Sequence, residues 1–209
     1  MATTTTTRSD IRTRARDYLY EASADWFTDA QLNRLINEEI RSLPAKNIYQ
    51  EIVYSTTLVV NQTDYTLPTN TSEVEKIERN SNNLSPAEWT EFLGWDVFNN
   101  SLYLDFKPSS ADEIRIFIRA TFDVPTDDVT AVEIDDAVCE IVVWGVVVRA
   151  YKMVIGYLRQ AKNWDSVSKP DYLTLNTVNS WLAEAKKDYN DLIKLYSTVS
   201  YPRDINLVS

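Results

Sequence analysis

Ile114-Arg115-Ile116-Phe117-Ile118-Arg119-Ala120 alternates apolar and polar residues almost without a break, the period of a half-buried β-strand. A few residues further on, beyond Pro125, the period changes. Val138, Ile141, Val148, Tyr151, Ile155 and Leu158 keep helical spacing over a stretch too long for a strand. The β-branched run from Val142 to Val148 therefore reads as part of a helix from about Ile134 to Ala161. Gly145 interrupts it at a cost of about 1 kcal/mol against alanine, so a close helix contact is expected there. A strand block that gives way to long helices marks the chain as α+β.

Upstream of Ile114 the strand period continues. Ile52 to Tyr54, Thr57 to Val60, Tyr65 to Leu67 and Val74 to Arg79 are β-rich, with a turn at Asn61 to Asp64. Val97-Phe98 and Leu102 to Phe106 flank Asn99-Asn100-Ser101 as a hairpin. Ser85-Pro86-Ala87-Glu88 has the form of a capping box, predicting a short helix that carries Trp89, Phe92 and Leu93. The block reads as one small antiparallel sheet.

Before it lie two helices. One runs from about Ser9 to Ser23. The other opens on the capping box Thr28-Asp29-Ala30-Gln31, buries Leu32, Leu35, Ile36, Ile40 and Leu43, and stops at Pro44. The short break between them makes antiparallel neighbours. After a loop at Asn163 to Asp171, a last helix runs from about Thr174 to Ser200. Val178, Leu182, Ala185, Tyr189, Leu192 and Tyr196 recur along it in steps of four and three. A core stripe within one chain and a coiled-coil seam both fit that pattern.

The fold expected is thus a bundle of about four main helices with an inserted small antiparallel β-sheet domain and an extended C-terminal tail. Residues 1–8 form a disordered arm. Residues 9–50 and 131–200 make the helical body, 51–122 the β insertion, 123–130 a linker and 201–209 the tail.

The chain contains no histidine, which removes the usual general base and the commonest metal ligand. Cys139 is the single cysteine and reads as a buried, inert thiol. The three glycines, Gly94, Gly145 and Gly156, compose no phosphate-binding loop. Each acidic pair has a structural account. Glu38-Glu39 falls on the polar side of a helix, Asp127-Asp128 in the linker, and Asp135-Asp136 at a helix N-terminus whose dipole favours negative charge. No catalytic residue, metal or cofactor is expected.

A net charge of −10 disfavours a phosphate backbone as ligand. Arg8, Arg12, Arg14 and Arg16 are diluted by Asp10, Asp17 and Glu21, and read as a solvated mixed-charge face. No apolar run approaches the roughly 20 residues of a membrane span, and the N-terminus has no apolar leader segment. Aromatic residues are plentiful. Trp89, Trp95, Trp164 and Trp181 read as lying in or beside short helices and loops, mostly as core filling, with a subset suited to interfaces.

The order of parts resembles the head-to-tail adaptors of tailed bacteriophages. Asp25-Trp26-Phe27-Thr28-Asp29 followed by Gln31-Leu32-Asn33-Arg34-Leu35-Ile36-Asn37-Glu38-Glu39 is similar to their opening, a helix and then a W-S/T-D-x-x-L…I/L-N-E-A second helix. Phe27 is inserted here, and Glu39 stands where alanine is usual. Tyr65-Thr66-Leu67-Pro68 resembles their Y-x-L-P segment, and the return to two helices is similar as well.

The resemblance implies a structural virion protein of the neck, assembled in the host cytoplasm. It implies a homo-oligomeric ring of about twelve copies under the portal protein, continuing the DNA channel and offering a face to a tail or nozzle protein. By position, Tyr201, Pro202, Arg203, Ile205, Leu207 and Val208 match the C-terminal segment that docks onto portal. A tail-tube terminator or other neck protein also fits, as does a non-viral protein-binding module using the β insertion. A carboxylate-dependent hydrolase ranks last.

Overall fold

Thr7 and Asp10 close a capping box at the start of the first helix: the Thr7 hydroxyl accepts the Asp10 N–H at 3.2 Å, and Asp10 Oδ2 accepts the Thr7 N–H at 2.9 Å. In the computed structural model, which describes residues 6–20, 26–80, 88–160 and 174–199, residues 6–8 of the expected disordered arm are in regular secondary structure. Thr6–Thr7 (β1) pair antiparallel with Ala131–Val132 (β9), and Arg8 already belongs to helix α1, Arg8–Tyr18. Helix α1 stops short of the expected Ser23. Leu19 caps it, and Tyr20 adopts a left-handed φ of 54° with its N–H on the Asp17 carbonyl.

The chain divides into two compact units, residues 1–48 with 123–209, and residues 49–122. In the first, helix α2 spans Asp29–Ser42 and ends in a 3₁₀ turn at Pro44–Lys46. Its Thr28–Gln31 capping box forms as the sequence indicates, and Leu32, Leu35, Ile36, Ile40 and Leu43 are buried. Arg12 of α1 reaches Asn33, while Arg16 reaches Asp29 and the Phe27 carbonyl. Later positions of α1 thus meet earlier positions of α2, as antiparallel neighbours do.

Helix α3, Asp136–Gln160, touches α1, α2 and the last helix, α4, Leu175–Val199. That surround explains its composition. Val138, Val142, Val143, Val146 and Val147 are all fully buried, so packing on several sides overrides the weak helix preference of valine. Each such side chain contributes about 1.5–3 kcal/mol of burial.

The second unit holds two antiparallel sheets rather than the one expected. The first has the order β2-β8-β4-β5, with β2 at Gln50–Thr57, β4 at Thr71–Asn80, β5 at Trp89–Glu91 and β8 at Glu113–Ala120. The second has the order β3-β7-β6, with β3 at Asp64–Thr66, β6 at Trp95–Phe98 and β7 at Ser101–Leu104. Both feed one core. Ile114, Ile116, Ile118 and Ala120 of β8 point into it, together with Ile77, Leu102 and Leu67. The β6–β7 hairpin turns at Asn99 and Asn100, with φ of 52° and 61°, the two positive values a type I′ turn demands.

The short helix expected at Trp89 is instead strand β5. Glu78, Arg79 and Asn80 pair with Glu91, Thr90 and Trp89, and the Arg115 guanidinium lies 3.7 Å from the Trp89 ring centroid. A local capping pattern loses here to pairing with a strand ten residues upstream. The capping residues themselves, 85–87, lie outside the described residues.

Candidate interaction surfaces

The arginines of α1 are the first departure from a solvated face. Arg8 Nε lies 2.8 Å from Asp128 Oδ1, and Arg12 Nη1 lies 2.8 Å from both Asp128 Oδ2 and Asn33 Oδ1. Arg16 donates to Asp29 at 2.8 Å, and Arg14 pairs with Glu140. The Arg8, Arg12 and Arg16 side chains are only 11–12% exposed, so they are committed within the chain and are not offered to a nucleic acid. Asp128 is the hub of this cluster, not a bystander in a linker. Its hydrogen bonds from Arg12 and Arg8 hold its carboxyl below the usual range. Asp127 turns back on its own segment, accepting the N–H groups of Val129 and Thr130.

The other acidic pairs separate in the same way. Asp135 caps α3 by accepting the Val138 N–H at 2.7 Å. No cluster of three or more potential metal ligands occurs among the described residues. Glu38 is on the polar side of α2, but Glu39 is not: it is 1% exposed. The spacing contained the clue, because position 39 falls on the same stripe as 32, 35, 36, 40 and 43.

Glu39 accepts from three elements. Lys46 Nζ of the 3₁₀ turn and the Tyr189 hydroxyl of α4 both lie 2.5 Å from Oε1, and Arg149 Nε of α3 lies 2.8 Å from Oε2. Burial pushes the Glu39 carboxyl up, but the hydrogen bonds from Lys46, Tyr189 and Arg149 and the Lys46 charge outweigh it, leaving it below its ordinary value. Burial and the facing Glu39 charge push Tyr189 far above the ordinary tyrosine range. The result is a fixed anion held by permanent donors, suited to tying α2, α3 and α4 together rather than to moving protons near neutrality. Gly145 provides the room, because a Cβ there would overlap the Glu39 carboxyl group. The close approach expected at this glycine is to a side chain of α2.

The seam of the last helix divides along its length. Val178, Leu182 and Ala185 are buried, and the Tyr189 hydroxyl serves the Glu39 network. Leu192 and Tyr196 are half-buried, and their neighbour Leu195 is 60% exposed. Among the tryptophans, Trp181 packs on Tyr151 with ring centroids 6.0 Å apart, and Trp95 donates its indole N–H to the Phe92 carbonyl. Trp164 and the tail residues Tyr201, Pro202, Arg203, Ile205, Leu207 and Val208 lie outside the described residues. Cys139 is fully buried, which raises its thiol, with Arg14 Nη1 3.1 Å from the sulfur.

One surface escaped the sequence reading. On the outer face of the three-stranded sheet, Tyr103 sits directly between Asp64 and Asp96 in the strand register, and Phe98 lies opposite Ser101 in the next row. Phe98 is 71% exposed and Tyr103 41%. The signal was available in the hairpin. Once Asn99-Asn100 is taken as a two-residue turn, the register puts Phe98, Asp96 and Tyr103 on the face opposite Val97 and Leu102.

No helix among the described residues is long and apolar enough to cross a membrane. No curated protein matches the chain. The family model of the SU10 adaptor protein matches residues 6–192, running through the helical unit, the whole β insertion and most of α4. The resemblance carried by the Trp26 to Glu39 opening and the order of parts thus has its counterpart in a match over most of the sequence, and the chain belongs to the SU10 adaptor protein family of phage head-to-tail adaptors.

Proposed function

We propose that the protein forms a ring of about twelve copies at the neck of the virion, seated under the portal protein and continuing its DNA channel toward a tail or nozzle protein. The observation that carries this reading is the family match over residues 6–192, which takes in both units rather than a single common module. Assembly would take place in the host cytoplasm, and the role is structural, with no catalytic step.

Physical features support the reading. A chain of net charge −10 repels phosphate on average, which suits a wall past which DNA must slide without adhering. The helical unit is tied internally by the Glu39 and Asp128 clusters, so it can serve as a rigid ring body. Tyr201, Ile205, Leu207 and Val208 offer apolar anchors without any helical or strand period, as a segment that orders on its partner does. These residues, with Pro202 and Arg203, are assigned to the portal contact.

Negative-stain microscopy of the purified protein, alone and with the portal protein of the same genome, tests the proposal. Rings stacked on portal are the expected outcome. A chain lacking residues 201–209 should stay folded and lose portal binding. A full-length chain that neither forms rings nor binds portal would sink the reading.

A further inference from the structure

The insertion unit contains the same recognition device twice, once complete and once open. On the four-stranded sheet, Lys76 Nζ lies 4.1 Å from the Phe117 ring centroid and 2.8 Å from Glu78 Oε1, and Arg115 stacks on Trp89. Each cation there covers an aromatic face, and Lys76 is also neutralised by a carboxylate. On the three-stranded sheet the ring and the acids are present. Asp64 and Asp96 are the direct cross-strand neighbours of Tyr103, an arrangement that sets Cβ atoms about 4.5–5.5 Å apart. No cation completes it among the described residues. Lys76, Arg79, Arg115 and Arg119 of the same unit are engaged with Glu78, Asp112, Trp89 and Glu75, and the exposed Lys107 forms no ion pair with Asp64 or Asp96. Phe98, 71% exposed beside this row, extends the open face with apolar surface.

The complementary chemistry lies on the helical unit. Arg34 and Arg41, seven residues apart, share the exposed side of α2. Arg34 is 61% exposed and held only by a 3.7 Å contact with Glu38 and a 3.9 Å contact with the Met153 sulfur. Those contacts place it beside α3, where Arg149 also approaches Glu38 at 3.7 Å and Lys152 is exposed one turn on. The result is a cationic ridge on an otherwise acidic chain.

We infer that the Asp64–Tyr103–Asp96 row with Phe98 of one copy docks onto the Arg34–Arg41 ridge of a second copy, the guanidinium groups stacking on the exposed rings and forking onto the two carboxylates. The two faces differ, so the contact is head-to-tail and can close into a ring. The inference rests on the ring reading and names the surfaces that join its copies.

Sedimentation velocity on charge-reversed chains tests it. Asp64→Lys/Asp96→Lys makes both faces cationic, and Arg34→Glu/Arg41→Glu makes both anionic. All four positions are exposed, and circular dichroism with a thermal melt checks that each variant folds; if the lysine pair does not, Asp64→Asn/Asp96→Asn takes its place, should lose the assembled species alone, and should form only a one-to-one pair with the glutamate variant. Each variant alone should lose the assembled species, whereas an equimolar mixture should regain it with alternating copies, in a salt-sensitive manner. A mixture no larger than its separate components overturns the docking proposal, whatever the wild-type chain does. So do single variants that assemble as wild type does. In that second case wild-type rings on portal would still stand, and only the assignment of surfaces would fall.

Discussion

Gly145 of α3 faces the carboxyl group of Glu39 on α2 so closely that a Cβ at position 145 would lie 2.5 Å from Glu39 Oε1. Two effects of Gly145→Ala oppose each other. Helix propensity favours alanine by about 1 kcal/mol. Overpacking costs about 1–3 kcal/mol, and Glu39 cannot step aside without releasing Lys46, Arg149 and Tyr189. Steric conflict should win, giving a net loss visible as a lower urea midpoint. A variant more stable than wild type would show that the carboxylate has room to move.

Removing the anion itself should cost more. Glu39→Ala leaves Lys46 and Arg149 without their shared partner, and breaking a buried ion pair in this way costs about 3–5 kcal/mol. The pH dependence has a definite sign. The folded carboxyl is held below its ordinary value, so its contribution is complete above the unfolded pKa of about 4.3 and fades as pH falls through the folded value. Glu39→Gln should lower stability at pH 7 and flatten the acid limb of a stability–pH curve. An acid limb identical to wild type would count against Glu39 as its origin.

Tyr189 governs the opposite limb. Its proton is retained in the folded state beyond the point, about pH 10, where the unfolded chain releases it. Stability linked to this group is therefore complete below pH 10 and declines above it. Tyr189→Phe should cost about 1.5–3 kcal/mol at neutral pH, through loss of a hydrogen bond to a charged acceptor, and should soften the alkaline decline. Chemical unfolding at pH 7 and pH 11 makes the comparison.

Asp128→Ala would remove the acceptor shared by Arg8, Arg12 and Asn33, loosening the segment before α3 against α1 and α2, while Arg8 keeps its bond to the Pro125 carbonyl and Arg12 its bond to Asn33. The Asp128 side chain is 39% exposed, so water compensates in part, and a loss of about 1 kcal/mol is expected. Added salt should narrow the gap between variant and wild type, as a calorimetric melt at two ionic strengths would show.

Most of the secondary structure was legible because it is written locally. Ile114 to Ala120 alternates, the valines of α3 recur at helical spacing, and Thr28 with Gln31 announces a helix start. What escaped depends on partners far away in the chain. Glu39 looks like half of an ordinary acidic pair until Arg149 and Tyr189 arrive from α3 and α4. Trp89 looks helical until Asn80 claims it as a strand partner. Thr6 and Thr7 look like part of a featureless threonine run until Ala131 and Val132 come alongside. The open aromatic face required one further step, turning the Asn99-Asn100 geometry into a strand register.

The first residue of β2 and the last of β8, Gln50 and Ala120, are direct antiparallel partners. Everything between them leaves and returns through a gap of about 5 Å, the span between paired strands. For the polypeptide on either side, that whole lobe is topologically equivalent to a tight hairpin, however long or short its contents. Such a junction lets the inserted lobe be enlarged, trimmed or exchanged through evolution with little added loop-closure penalty. Relatives that share the helices would then be free to carry quite different lobes at this point. Grafting a two-residue turn between Gln50 and Ala120 is the corresponding engineering route to a minimal helical core.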